Sequence, residues 1–216
     1  MNKQTIKHWV MLLALTGSVT VGLSGCFPVI MGGAVVGGLV ATDRRTAGAQ
    51  LEDETIELRA ASRIRDNLGD RVHVNVNSYN RRVLLTGEVP NVQDKLLVEQ
   101  VVSRVENVQS VVNELAELGK ATLAQRSSDT LVTGRVKAGL VDAKELYANA
   151  FKVVTERGTT YLMGRVTQRE ADRATEIARS TSGVQKVVRV FEIISEDELR
   201  NLLPQPAPEG KTNTPL

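Results

Sequence analysis

"NVQSVV", Asn107 to Val112, returns as "GVQKVV", Gly183 to Val188, 76 residues later in a chain of 216. Each copy starts on Asn or Gly, the residues that best tolerate a left-handed backbone. Each then runs into β-branched residues that favour a strand. A stretch with helical spacing lies ahead of both. Leu97, Val101, Val102 and Val105 share one face before Asn107, and Ala171, Ala174, Ile177 and Ala178 share one before Gly183. The phrase reads as helix, stop, strand. Its recurrence predicts that the chain builds one module twice.

Further upstream each copy has a pair of strands. "VHVNVNSY", Val72 to Tyr79, alternates strictly and reads as a half-buried strand. "NRR", Asn80 to Arg82, is a tight turn, and "VLLTGEV", Val83 to Val89, is the returning strand. In the second copy "FKVVTE", Phe151 to Glu156, leads through a turn at Gly158 into "TYLMGRV", Thr160 to Val166. Gly164 matches Gly87, and both predict close approach of neighbouring backbone or a helix. Pro90 and Asn91 open one crossover helix, and the other starts near Gln168. One more helix precedes each strand pair. Ile56, Ala60, Ala61, Ile64 and Leu68 mark the first; Val132, Val136 and Leu140, behind a cap at Ser128 or Asp129, mark the second.

Each module is therefore expected to run α-β-β-α-β. The hairpin makes two strands antiparallel, and the crossover helix returns the third parallel and right-handed. The predicted class is α+β: two tandem modules, each a three-stranded mixed sheet with two helices on one face. Module 1 spans 54–117, a linker 118–128, and module 2 129–194.

The chain ends carry different signals. Lys3 and Lys7, the apolar "WVMLLAL" from Trp9 to Leu15, and small residues before Cys26 have the order of a secretory signal over 1–25. "LSGC", Leu23 to Cys26, resembles the lipobox of bacterial lipoproteins. That resemblance implies cleavage before Cys26 and its acylation, and Phe27, rather than Asp, after it implies the outer membrane's periplasmic face. Residues 26–53 then read as a lipidated cysteine and a Gly/Ala-rich tether, "MGGAVVGGLVA", followed by a polar, turn-like approach from Asp43 to Asp53. Two readings of the tether stay open, a loose or membrane-hugging strap and a Gly-spaced helix packing on a partner. Residues 195–216 read as a short helical segment and a disordered Pro-rich tail.

The twofold pattern of alternating strand, hairpin, hydrophobic-x-Gly-x-Val, Ala-rich helix and Gly/Asn-Val-x-x-Val resembles the BON domain. With the lipobox, the tether and "ATDRRTAGAQ" it resembles the dual-BON outer-membrane lipoproteins. The resemblance implies a non-enzymatic protein of the periplasmic face that binds anionic phospholipid and supports envelope integrity. Asn107, where the family pattern has Gly, is a departure that the left-handed tolerance of Asn accommodates.

Motifs for catalysis are absent from the sequence. After removal of the signal His73 is the sole histidine, and its place in the alternating strand points it to solvent. No HExxH, CxxC, phosphate loop or dinucleotide fingerprint occurs, so neither a metal nor a cofactor is expected. With Cys26 the single cysteine, no intramolecular disulfide is possible. The run Glu52–Asp53–Glu54 reads as solvated.

Charge is more informative. Residues 1–25 hold two lysines and no acid, so processing leaves 25 basic and 25 acidic residues. Residues 53–117 contain 8 Lys/Arg and 11 Asp/Glu, whereas 127–194 contain 11 and 8. Two readings follow: the modules dock on each other, or the basic module meets an anionic surface. The leading helix of module 2 is open to an ordinary solvated face or to an anionic surface, and the resemblance to phospholipid-binding lipoproteins favours the surface. Leu131, Arg135 and Ala138 recur at i, i+4, i+7 away from the core positions, with Lys137 alongside. These four residues are the candidate phospholipid contacts, and Cys26 is the candidate lipidation site. The rival expectation is a protein-interaction module, accessory to outer-membrane assembly or to cell-wall remodelling at the division site. A neutral exported chain is not expected to bind nucleic acid.

Overall fold

The computed structural model describes residues 43–202. Residues 1–25, read above as a secretory signal, Cys26, the Gly/Ala-rich stretch up to residue 42 and the Pro-rich tail from residue 203 lie outside the described residues. In the first module α1 spans Ala47–Leu68, β1 His73–Tyr79, β2 Arg82–Val89, α2 Val92–Ser103, β3 Ser110–Asn113 and β4 Ala116–Glu117. In the second α3 spans Leu123–Asp142, β5 Phe151–Glu156, β6 Thr159–Thr167, α4 Gln168–Ser180 and β7 Lys186–Ile194, and α5 follows at Glu196–Leu202.

The topology repeats as the sequence pattern requires. β1 pairs antiparallel with β2, and β3 and β4 lie parallel along β2. β5 pairs antiparallel with β6, which carries β7 in parallel. Both hairpins turn through two residues at positive φ: Asn80 and Arg81 at 50° and 65°, Arg157 and Gly158 at 49° and 72°. That is the mirror-image turn whose twist matches paired strands. Three of the four residues are not glycine, and the strain is offset from the leading helices. Asp53 of α1 accepts from the backbone N–H of Asn80 and Arg81 at 2.8 Å each and from Ser78 Oγ at 2.6 Å. Asp129 of α3 accepts from the N–H of Arg157 and Gly158 at 2.8 and 2.9 Å. These aspartates stand 76 residues apart, the offset between Asn107 and Gly183, which themselves hold φ of 67° and 97°.

Several local readings change. α1 starts at Ala47, capped by Thr46, whose hydroxyl accepts from Ala49 N–H. Ala47 to Asp53 of the polar stretch read as a turn-like approach are therefore its first two turns, and only Asp43 to Thr46 lead into it. Asp53 is buried rather than solvated, because the hairpin turn takes both its oxygens. α3 starts at Leu123 behind a Thr122 cap, not at Ser128 or Asp129. Asp129 is turned inward to the hairpin and has no cap to supply. At Gly87 the close neighbour is backbone, one of the two alternatives expected there. With φ of 114°, a Cβ there would lie 2.2 Å from the His73 carbonyl oxygen of the neighbouring strand.

Two cores follow the modules. Ile56, Ala60 and Ile64 of α1 pack with Val98 and Val102 of α2 on Val83, Leu85 and Val89 of β2. Val132, Val136 and Leu140 of α3 pack with Ala171, Ala174 and Ala178 of α4 on Leu162 and Val166 of β6. A third core joins Tyr79 and Leu84 to Tyr161, Met163 and Val190, flanked by Val112, Val154 and Val188. These are the alternate residues of the same strands. The two sheets therefore pack back to back, with helices outside both. β2 and β6 are covered on both faces, which is why "VLLTGEV" and "TYLMGRV" read as near-continuous apolar runs. The three cores are built from residues within 43–202, so a chain starting at residue 38 keeps all of the packing among the described residues.

Candidate functional site

At 100° per residue, the core positions Val132, Val136 and Leu140 of α3 define its opposite, outward face. That face carries Leu123, Ser127, Leu131, Gly134, Ala138 and Val141, all exposed. Leu123, Leu131 and Val141 leave 80%, 62% and 67% of their surface open. Between Leu123 and Val141 the one acid is Asp129, and it points inward. The result is an uncharged stripe about five turns long on a helix whose other side is firmly seated.

The four sequence candidates do not form a single cluster. Leu131 and Ala138 lie on the stripe. Arg135 flanks one side, where its guanidinium donates to the Ser182 carbonyl at 3.3 Å. Lys137 flanks the other, roughly 160° around the helix from Arg135. It lines a cavity of about 350 Å³ with Arg45, Glu54 and Glu57 of module 1. A stripe of apolar residues with a cation on each flank is the pattern of a helix lying in a membrane interface. Sequence reasoning missed Leu123 because it started the helix at least six residues late, and Val141 because it followed the helix no further than Leu140. The signal was present: Thr122-Leu-Ala-Gln125 has the spacing of a helix start. It also missed Tyr147, 45% exposed in the turn after α3.

α1 has its own exposed leucines, Leu51 and Leu58, at 65% and 74%. Exposed Glu54 lies between them on the same side. The apolar surface is similar on the two leading helices, and charge separates them.

The docked modules use part of the charge asymmetry. Glu88 of β2 is 1% exposed and accepts from Arg157 Nε of module 2 at 2.8 Å and shares a hydrogen bond with His73 Nδ1 at 2.9 Å. His73 is thus half-buried at the junction, not directed to solvent, because the edge strand β1 lies against the other module. Lys152 of module 2 reaches Glu57 of α1. In the other direction Arg44 makes a two-pronged pair with Glu170, at 2.6 and 2.8 Å, and donates to the Arg165 carbonyl at 2.8 Å. Its neighbour Arg45 binds Asp43 and Asp53 and stacks 4.2 Å from the centre of the Tyr79 ring. Burial pushes the Tyr79 phenol up to about 12, aided by Asp43. "DRR" at the entrance to the fold therefore clasps both modules.

Among the described residues no group of His, Cys, Asp and Glu has the arrangement of a metal site. No helix there is long and apolar enough to cross a membrane.

Comparison with known proteins agrees with the repeat. The BON domain family matches residues 52–118 and again 128–195. The chain is 39% identical over 184 residues to the outer membrane lipoprotein DolP of Haemophilus influenzae, covering 84% of this chain and 95% of that one. It is 33% identical over 154 residues to a 21 kDa hemolysin of Actinobacillus pleuropneumoniae, covering 70% and 79%. Among solved structures, CdsD of the Chlamydia trachomatis type III secretion system aligns over 73% of this chain and 99% of its own, at 16% identity and a TM-score of 0.29.

Proposed function

Because this chain belongs to the BON-domain family, which matches it twice along its length, we propose that it acts as a non-enzymatic outer-membrane lipoprotein, anchored through Cys26 and facing the periplasm, whose module 2 touches anionic phospholipid and supports envelope integrity. The observation that carries the lipid reading is the outward stripe of α3, with Leu123, Leu131 and Val141 exposed and Arg135 and Lys137 on its flanks. The lipoprotein reading is supported by the "LSGC" box and by the relative named as an outer membrane lipoprotein.

The energetics suit a contact made after anchoring. Two cations near an anionic surface contribute about 1 kcal/mol each. Sinking three partly exposed aliphatic side chains adds about 1 kcal/mol each. The sum corresponds to a Kd on the order of 0.1–1 mM. That is weak for a free protein and sufficient for a tethered one, whose effective concentration is on the order of millimolar. Cys26 precedes Asp43 by 17 residues, a chain that reaches at most about 60 Å. Arg45, at the entrance to the fold, and Lys137 line the same cavity, so the anchor's chain enters beside a cationic flank of α3.

The test is co-flotation of a chain starting at residue 38 with phosphatidylglycerol vesicles. Leu131→Glu with Arg135→Glu is expected to abolish flotation, whereas Leu58→Glu on α1 leaves it unchanged. Equal flotation of all three would remove α3 from the contact and favour a protein partner instead.

A further inference from the structure

A different side of α3 faces a second cavity, of about 350 Å³, at the junction of the modules. Arg126, Thr130 and Thr133 come from α3, His73 and Asn75 from the edge of β1, and Glu156 from the end of β5. Its volume is in the range of small-ligand sites. Two charged groups in it lack the partners that their burial calls for. The Arg126 guanidinium lines the cavity and makes no ion pair among the described residues, and its inward Nε, closed off from solvent, has no hydrogen-bond partner there. Such a donor in a native structure needs an explanation. Glu156 accepts from a neutral donor, Asn75 Nδ2 at 2.9 Å, and makes no ion pair among the described residues. Burial, and then the nearby Glu88 carboxylate, raise its pKa.

The surroundings narrow the ligand. Arg126 and Glu156 line one cavity without pairing with each other. A simple anion would satisfy Arg126 but would meet the carboxylates of Glu156 and Asp129, the second of which is held in place by the hairpin N–H groups. A simple cation would satisfy Glu156 and leave Arg126 bare. A ligand with both charges pairs with both groups, the outer face of the Arg126 guanidinium and the Glu156 carboxylate, with Val153 and Val154 in the lining beside them. We propose that this cavity binds a small zwitterion, a free amino acid or the end of a short peptide, with its carboxylate on Arg126 and its ammonium on Glu156. The site is independent of the lipid reading, since it uses the flank of α3 and not its outward stripe.

Amide shifts of the chain starting at residue 38 test this on adding alanine or alanylalanine up to about 20 mM, the range of a weak Kd. The amides of Arg126, Thr133 and Glu156 should move with one of the two probes. Blocking either charge, as in N-acetylalanine or alaninamide and their dipeptide forms, should weaken binding about tenfold or more, the value of one charge-assisted contact. Arg126→Gln should abolish the preference for a free carboxylate, and Glu156→Gln the preference for a free ammonium. Thermal melts check that both variants fold; if one does not, the blocked probes on the unaltered chain decide. The proposal is overturned by no shift with either probe, or by blocked and free forms binding alike.

Discussion

Replacing Arg44 by Ala removes one end of a pair whose side chains are 3% and 2% exposed. Glu170 then keeps its carboxylate in a buried site. Of its partners it retains only the Thr167 N–H, at 3.0 Å, in the capping box of α4. Breaking a buried pair from one side costs about 3–5 kcal/mol, because the remaining charge is stranded. The upper end applies here, since Arg44 also leaves the Arg165 carbonyl without its donor. Exposed Arg59–Glu106, at 45% and 70% side-chain exposure, is the control and should cost about 0.2–1 kcal/mol. The assay is urea unfolding of a chain starting at residue 38, with Arg44→Ala, Glu170→Gln and the double variant. Glu170→Gln alone should be costly, because the guanidinium is then left unpaired. The double variant should be less destabilised than the two single losses added, by at least about 1 kcal/mol. The pair also sets a pH response. Burial opposes the charged form of Glu170, but the Arg44 and Thr167 hydrogen bonds outweigh it, and its pKa falls below the ordinary value. Its contribution is therefore complete above the unfolded carboxylate range and is lost as pH falls through and below it. A loss under about 1 kcal/mol, or strict additivity, would refute the clasp.

Other consequences are as direct. Asp53→Ala strands the N–H groups of Asn80 and Arg81 and should cost about 2–4 kcal/mol in urea melts. The Asp53 carboxyl is held low by the hydrogen bonds from Ser78, Arg81, Arg45 and Asn80, against its desolvation. The wild type should thus lose stability as pH drops below about 4, and the Asp53→Ala variant should lose less over that interval. Gly87→Ala places a Cβ 2.2 Å from a strand carbonyl; thermal melts should show a loss of several kcal/mol, on the order of a severe steric clash. Module 2 expressed alone, residues 120–202, exposes Tyr161, Met163 and Val190; it should bind a hydrophobic dye and self-associate by sedimentation, where the two-module chain does neither.

What the sequence disclosed was whatever depends on local periodicity. The repeated phrase marked the two crossover units, and Asn107 and Gly183 hold the positive φ their identities suggested. Core positions on α1 to α4 came from spacing alone, because each of these helices has one buried face. The relation of the modules was hidden. Leu84, Tyr161 and Met163 pack on residues more than 70 positions away, and the apolar runs that contain them are equally consistent with a strand covered by its own helices. His73 looked solvent-facing because its own module leaves that edge open; the wall that covers it comes from the other. The outward stripe of α3 was half legible. Leu131 and Ala138 followed from the heptad-like spacing, while Leu123 and Val141 needed the true helix limits. Arg44 looked like one of two basic residues in a polar, turn-like approach, and its partner Glu170 lies 126 positions away.

The most direct test of the account places spin-labelled lipid in phosphatidylglycerol bilayers and measures its broadening of backbone amides in a chain starting at residue 38. Broadening should be strongest along one line of α3, at Leu123, Leu131, Ala138 and Val141, and weak at Leu51 and Leu58 of α1. Broadening centred on α1, or spread evenly over both modules, would contradict it.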